Sequence, residues 1–346
     1  MAYHSFLTVL IPAIVSFIIT LVATKFVMSY MYDIGVIDED VNKEKLILLP
    51  SSGGLAVAFG VLLGILTYVF GASFVFKAQL NIENLLAVVL SILLVAMVGF
   101  LDDIHVKRTR SVTTDIKRLK KGLKQWQKPL LTVIGALPLV AVNAGISVVH
   151  VPFVGLVDIG LFYPILILPL AVIFISNAVN LLGGFDGLKP GMYLIAAFGF
   201  LLYSVLFGTY MGVLLSSVLF AALLAFLPFN TYRAKIIPGD SFDYAVGASF
   251  VAIMAMGNAE AIGVIILVPW ILEFFLHLRR RFNVSDLGIR QKDGTFKAPY
   301  GKKIYSLTHV VMNMKKATEQ DVALYLCLLE VGFVALALLL KIFALL

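Results

Sequence analysis

Three observations predict an all-α protein that crosses a membrane many times. Of 346 residues, 61% are hydrophobic and only 14% are charged. Mean hydropathy is +1.00, and the apolar residues fall in long uninterrupted runs. So little polar material cannot cover a water-soluble globule, and runs of roughly 17 to 25 apolar residues are what a helix needs to cross hydrocarbon. The chain is therefore expected to be one integral membrane domain over residues 1–346 with about ten spanning helices.

Taken in order, the spans are expected near 6–30, 53–71, 84–101, 129–149, 161–182, 189–208, 210–228, 241–257, 259–278 and 322–345. The first lacks a basic start and is too long for a secretory leader, so it reads as a spanning helix. The eighth carries the weakest signal, being short and holding Asp243. Loops near 31–52, 102–128, 183–189, 229–240 and 279–321 hold 2, 9, 1, 2 and 10 Lys and Arg, which is 24 of the 27. That bias places these loops in the cytoplasm and both termini outside. The net charge of +7 is thus a topology signal, and no stretch interleaves aromatic and basic residues as a nucleic-acid platform would. Cys327 is alone, so no internal disulfide can form, and it reads as a small packing or lipid-facing residue.

Two loops have patterns of their own. Ile116, Leu119, Leu123 and Trp126 recur at helical spacing among Lys117, Arg118, Lys120, Lys121 and Lys124, which predicts a basic amphipathic helix on an anionic leaflet. Asp293-Gly294, between short alternating segments within 289–297, predicts a hairpin. There is no internal repeat of the kind that builds many transporters.

The unusual polar groups collect on the cytoplasmic side. Asp102 and Asp103 end the third span, and adjacent carboxylates there repel unless a cation neutralises them, so they are candidates for a base or a metal ligand. Asn177 and Asn180 share one helix face, placed either for interhelical hydrogen bonding or for a ligand. Gly183-Gly184 then permits close backbone approach, and Asp186 opens the next helix, as a cap or as a ligand-binding acid. Asp240 lies at the mouth of the eighth span, and Lys128 follows the basic segment. Oxygen donors from four separate helix ends beside Lys and Arg suit Mg²⁺ and a diphosphate. Arg279, Arg280 and Arg281 serve either as a stop signal or as a pyrophosphate contact. Glu273, above them, either pairs with a cation or faces the cleft. The spacing of His105, His277 and His309 forms no metal motif.

With those residues in order, from Pro50-Ser-Ser-Gly-Gly54 through the Asp pair to Pro238-Gly-Asp-Ser-Phe242 and the basic last loop, the chain resembles the polyprenyl-phosphate N-acetylhexosamine-1-phosphate transferases over nearly its whole length. Gly183 stands where bacterial relatives carry an aspartate, and Gly239-Asp-Ser-Phe242 is closer to the archaeal and eukaryotic dolichyl-phosphate branch. The resemblance implies ten spans with both termini outside. It assigns Asn180 and Asp240 to Mg²⁺ (or Mn²⁺), Lys128 to phosphate, Gly184 and Asp186 to the nucleotide side, and Asp102 and Asp103 to the catalytic centre. The last loop lacks the branch's Pro-Arg-His-Arg run and offers Arg279–Arg281 and Arg290, and Ser51 replaces a uracil-contacting glutamate.

The resemblance implies transfer of N-acetylhexosamine-1-phosphate, GlcNAc-1-phosphate foremost, from a UDP-sugar to a polyprenyl or dolichyl phosphate in a prokaryotic, archaeal-type plasma membrane. The partners expected are that nucleotide sugar, that lipid and the bilayer, with a homodimer left open and nucleic acid excluded. A larger cell-wall sugar-peptide donor and, from another class, a solute permease or a non-catalytic scaffold are the alternatives. Transporter sites lie near the membrane centre, whereas these acids crowd one face.

Overall fold

The computed structural model describes residues 3–77, 80–104, 123, 124, 126–145, 148–151, 155–343 and 345. Helices occupy each of the ten expected ranges, wholly or in part: α1 (Tyr3–Asp33), α2 (Gly54–Phe74), α3 (Ile82–Ile104), α4 (Gln127–Ala141), α5 (Leu168–Asn180, entered through a π-helical turn at Tyr163–Ile167), α6 (Leu188–Leu206), α7 (Tyr210–Asn230), α8 (Gly239–Gly257), the pair α9 (Glu260–Ile266) and α10 (Val268–Leu278), and α12 (Glu319–Ile342). Between the last two lies a short helix, α11 (Leu307–Met314). Among the described residues, seven helices are long and apolar enough to cross a bilayer, and α9 with α10 makes an eighth if counted as one broken span. The protein is a polytopic integral membrane protein.

The helix with the weakest sequence signal is the centre of the molecule. Every residue of α8 from Ser241 to Ala255 is buried, with α2, α3, α5 and α7 packed around it. A helix shielded from lipid on all sides can keep polar residues that a lipid-facing one could not, which is why its apolar run is interrupted. Its first turn is gripped from two directions. A Cβ on Gly54 would lie 1.9 Å from the Phe242 backbone nitrogen, and one on Gly99 would lie 2.5 Å from the Asp240 carbonyl oxygen. Only glycine permits α2 and α3 to approach that closely.

Small β pieces brace the loops at this end. β1 (Ile37–Glu39) pairs antiparallel with β2 (Leu48–Pro50). The strand continues into the loop before α8, because Ile237 N–H donates to the Pro50 carbonyl (2.8 Å) and Gly54 N–H to that of Pro238 (2.9 Å). Near the opposite terminus of α4 a second hairpin pairs β3 (Val148–Val151) with β4 (Gly155–Asp158).

Two span predictions are corrected. The fourth span, expected over 129–149, ends at Ala141; Asn143 and Gly145 take φ of 50° and 90°, which stop a helix, and the β-branched run after them forms β3. The ninth, expected as one helix over 259–278, bends by 60° between α9 and α10, where Pro269 in the first turn of α10 lacks the N–H that would continue the ladder. The hairpin expected around Asp293-Gly294 is present, with β5 (Ile289–Arg290) against β6 (Phe296–Lys297) and Gly294 at φ 83°. The amphipathic helix expected over 116–126 lies largely outside the described residues, as does His105. Cys327 packs on α6, since a Cβ at Gly191 would meet its sulfur at 2.8 Å.

The close approach at Gly54 makes a test. Gly54→Ala should lower the thermal midpoint of the detergent-solubilised protein by an amount equivalent to ~2 kcal/mol or more, the cost of overpacking. Gly332→Ala, where an added Cβ meets nothing within 4 Å, should leave it unchanged or slightly raised.

Candidate active site

At one end of the bundle the C-termini of α3 and α5 and the N-termini of α4, α6 and α8 bring eight polar side chains together. Asp103 holds the start of α8: one carboxylate oxygen accepts Asp240 N–H (2.7 Å), the other Ser241 N–H (3.2 Å). Gly239, at φ 76°, leaves the room, as a Cβ there would lie 2.5 Å from Asp103 Oδ2. Orphan N–H groups at a helix start attract a carboxylate, and both oxygens of Asp103 are committed to them.

Asp102, the neighbouring residue, points elsewhere. Its Oδ1 accepts Leu123 N–H (2.5 Å), and its Oδ2 lies 2.6 Å from the ammonium of Lys128. The same ammonium is 2.6 Å from Asp240 Oδ2. Asn180 Nδ2 donates to that oxygen at 3.1 Å. Lys189, from the first turn of α6, hydrogen bonds Asp243 and lies 3.5 Å from Asn180 Oδ1. Tyr193 places its hydroxyl 2.8 Å from Asp243 Oδ1. Five of the residues singled out from the sequence, Asp102, Asp103, Lys128, Asn180 and Asp240, are thus one cluster. Asn177 belongs to the packing instead, accepting from the Tyr244 hydroxyl at 2.8 Å across α5 and α8.

The oxygens of Asn180, Asp240 and Asp102 are hard donors of the kind Mg²⁺ uses. The Lys128 ammonium balances part of the charge on two of these carboxylates, and the hard-oxygen chemistry of the donor set fits a divalent ion beside it.

Asp186 belongs to a second ionic cluster that locks three loops together. Lys43 reaches Asp40 (3.0 Å), Asp186 (2.8 Å) and Glu319 (2.6 Å). Glu319 Oε1 accepts Asp186 N–H at 2.9 Å, Asp186 Oδ2 accepts Ala234 N–H at 3.0 Å, and Asn42 donates to the Gly184 carbonyl. Burial works against the charge on Lys43, but hydrogen bonds to Asp186, Glu319 and Asp40 outweigh it and hold the ammonium above its ordinary range. Burial likewise pushes the Asp186 carboxyl up, against the opposing pull of Lys43 and Ala234 N–H. Carboxylate oxygens of Asp40, Asp186 and Glu319 lie within 4.8 Å of one another, a spacing that admits a metal, but Lys43 supplies the cation there.

The arginines are placed by aromatic rings. Arg280 stacks 4.7 Å over Tyr300 and 5.2 Å from Tyr305, and Arg279 lies 5.4 Å from Tyr305. Exposed Arg281 takes φ 51°. Among the described residues no hydrogen bond or ion pair joins these three to Asp240 or Asn180. Glu273 anchors the last loop from below, 2.9 Å from His277 Nε2 and accepting Leu307 N–H at 2.7 Å. Burial pulls the His309 imidazole below its ordinary range, its Nε2 2.9 Å from the Ser285 carbonyl.

Sequence reasoning missed Lys43, Glu319, Asn230 and Asp286, and it counted Lys189 only as a topology charge. Asn230 joins two loops, accepting from Gly187 N–H (3.2 Å) and donating to the Ile236 carbonyl (2.8 Å). Asp286 Oδ2 would lie 3.4 Å from a Cβ at Gly184. A lone asparagine at a helix C-terminus such as α7's is the one visible signal for Asn230; nothing in sequence separates Lys43 from Lys45.

An apolar cavity of about 250 Å³ is lined by α5 and by α8–α10, from Tyr163 and Glu260 to Ala178 and Val179, where it comes within one helical turn of Asn180 without any side chain of the charged cluster lining it.

The sequence profile of glycosyl transferase family 4 matches residues 85–258, half of the chain. A protein of Saccharolobus solfataricus named for UDP-N-acetylglucosamine–dolichyl-phosphate N-acetylglucosaminephosphotransferase activity is 30% identical over 338 residues, 97% of each chain. Its counterpart in Sulfolobus acidocaldarius is 29% identical over 96% of each. A phospho-N-acetylmuramoyl-pentapeptide-transferase of Staphylococcus aureus is 32% identical over 65% of this chain and 67% of its own.

Removing Lys43 tests the locking cluster. Lys43→Met should cost ~3 kcal/mol of stability, because it strands buried carboxylates. Asp186, already pushed up by burial, would lose the opposing pull of Lys43, so the penalty is present while it is ionised and is relieved as pH falls through its folded value. The variant should therefore gain thermal stability on wild type as pH is lowered from neutrality, and Lys43→Met with Glu319→Gln should recover part of the loss at neutral pH.

Proposed function

The chain belongs to glycosyl transferase family 4, and we propose that it transfers N-acetylglucosamine-1-phosphate from UDP-N-acetylglucosamine to a polyprenyl or dolichyl phosphate, releasing UMP and leaving a lipid-linked diphospho-sugar. The observation that carries this reading is a juxtaposition. A cluster of acid, amide and ammonium groups at one end of the bundle adjoins an apolar cavity that begins within one turn of Asn180. A polar nucleotide sugar and a lipid phosphate need those two surroundings side by side.

In this reading Asn180 and Asp240 hold Mg²⁺, or Mn²⁺ in its place. The ion, when bound, offsets charge on the diphosphate as it moves toward the transition state. Lys128, fixed between Asp102 and Asp240, presents an ammonium to a phosphate oxygen. Asp102 keeps that ammonium in place. Asp103, with both oxygens on the α8 backbone, positions Asp240 rather than taking a proton. The acceptor phosphate is already largely dianionic at neutral pH, so its oxygen attacks the β-phosphorus of the donor without strong base help, and the bond to UMP breaks. Gly184 and Asp186 border the nucleotide side. Arg281, whose side chain no ring or hydrogen bond holds among the described residues, is the arginine of the three best placed to reach the donor.

Ten spans, cytoplasmic basic loops and outward termini in a prokaryotic, archaeal-type plasma membrane complete the proposal. The similarity to the Staphylococcus aureus protein sustains a second reading, the same chemistry on a sugar-peptide donor.

Purified protein in detergent, given a polyprenyl phosphate and Mg²⁺, should release UMP from UDP-N-acetylglucosamine. Asp240→Ala should abolish that release and Asn180→Ala should lower it by about a hundredfold or more, the scale set by metal-bound charge stabilisation. Turnover only with UDP-N-acetylmuramoyl-pentapeptide would select the second reading, and full activity in Asp240→Ala would remove the metal assignment.

A further inference from the structure

We propose that Lys189 is a positioning residue of the donor site: a fixed internal cation that keeps divalent-ion affinity low until the donor diphosphate arrives, so that the two bind together. The inference rests on the reading of Asn180 and Asp240 as metal ligands.

Its geometry sets it apart from the other loop cations. Lys189 lies in the first turn of α6, and its side chain crosses the space above Gly183, where an added Cβ would meet Lys189 Cε at 2.3 Å. A residue larger than glycine at 183 would displace the lysine. The ammonium hydrogen bonds Asp243, whose side chain is fully buried, while the lysine side chain itself is 17% exposed. It therefore stands at the boundary between a buried carboxylate and the open site, with the positive end of the pair turned to Asn180. Asp243 has the Tyr193 hydroxyl as a second partner, and moving the lysine away would leave a buried carboxylate with that hydroxyl alone, a costly arrangement. The ammonium is for this reason a fixed charge and not a mobile one.

Asp240 and Asp243 sit three residues apart on one face of α8. Lys128 serves the first and Lys189 the second. The amide of Asn180 lies between the two pairs, its nitrogen toward Asp240 and its oxygen toward Lys189. An ion taken by Asn180 Oδ1 and Asp240 would lie within a few ångströms of the Lys189 ammonium, nearer the positive end of the Lys189–Asp243 pair than its buried negative end, and would be repelled by it. A diphosphate bound beside the ammonium would offset the repulsion between it and the ion. Donor and ion then raise each other's affinity by the same factor.

The test measures Mn²⁺ binding to the full-length protein in detergent by electron paramagnetic resonance, with and without UDP-N-acetylglucosamine. The substitution is Lys189→Gln with Asp243→Asn, which removes both charges and strands neither. Without nucleotide this variant should bind Mn²⁺ about tenfold more tightly than wild type, and the enhancement by the nucleotide sugar should shrink by the same factor. The KM for the donor should rise while the KM for the lipid phosphate stays put, and Lys189→Arg, which keeps the charge, should keep the low nucleotide-free Mn²⁺ affinity of wild type. Unchanged or weaker Mn²⁺ binding in the double variant, with wild-type binding that depends on Asp240, would overturn the role of Lys189 alone. Wild-type binding that survives Asp240→Ala would overturn the metal assignment beneath it.

Discussion

The docking of the first turn of α8 onto Asp103 is the interaction on which the rest of the site depends. That turn carries Asp240, and its placement is fixed by the two N–H groups bonded to Asp103 and by the close approach of α2 and α3 at Gly54 and Gly99. The strand-like bonds of Pro50, Gly53 and Gly54 to Ile237 and Pro238 hold the same turn from the loop side. Once Asp240 is placed, Lys128 follows it, Asp102 follows Lys128, and Asn180 is drawn in by its amide nitrogen. An aspartate pair that is equivalent in sequence divides in space: one member supports the backbone, the other steers an ammonium.

Charge is balanced separately in two neighbouring clusters. Around Asp240 the cations are Lys128 and Lys189, and the arrangement is open on one side. Around Asp186 the cation is Lys43, enclosed by three carboxylates contributed by the first loop, the loop before α6 and the start of α12. Closed ionic clusters of this kind fix the relative positions of segments far apart in sequence, at an expense in desolvation that only complete pairing offsets. The enclosed cluster holds the loops; the open one, in the function proposed, meets substrate.

Much of this was legible in the sequence. Composition and run length identify the membrane class, and the polar residues at helix ends identify Asp102, Asp103, Lys128, Asn180 and Asp240, because a polar group at such a depth is expensive without a task. What stayed hidden depended on pairing. Glu319 reads as an ordinary acid in the first turn of a helix, and Lys43 as one of two lysines in a loop; only the fold brings them to Asp186. The π-turn, the β3–β4 hairpin and the bend at Pro269 were likewise missed, since a continuous apolar run does not mark where a helix stops inside it. The central helix looked weakest because burial among helices relaxes the demand for uniform hydrophobicity that lipid imposes.

Gly183 connects the sequence and the site. Its small size frees the space that Lys189 crosses, so a position read from sequence as a mark of ancestry is also the physical condition for a second lysine beside Asn180.

The most direct measurement is the anomalous scattering of Mn²⁺ in crystals of the protein grown with UDP-N-acetylglucosamine. The account predicts a single strong peak in coordinating reach of Asn180 and Asp240, beside the Lys128 ammonium. A peak instead among Asp40, Asp186 and Glu319, with Lys43 displaced, would contradict it.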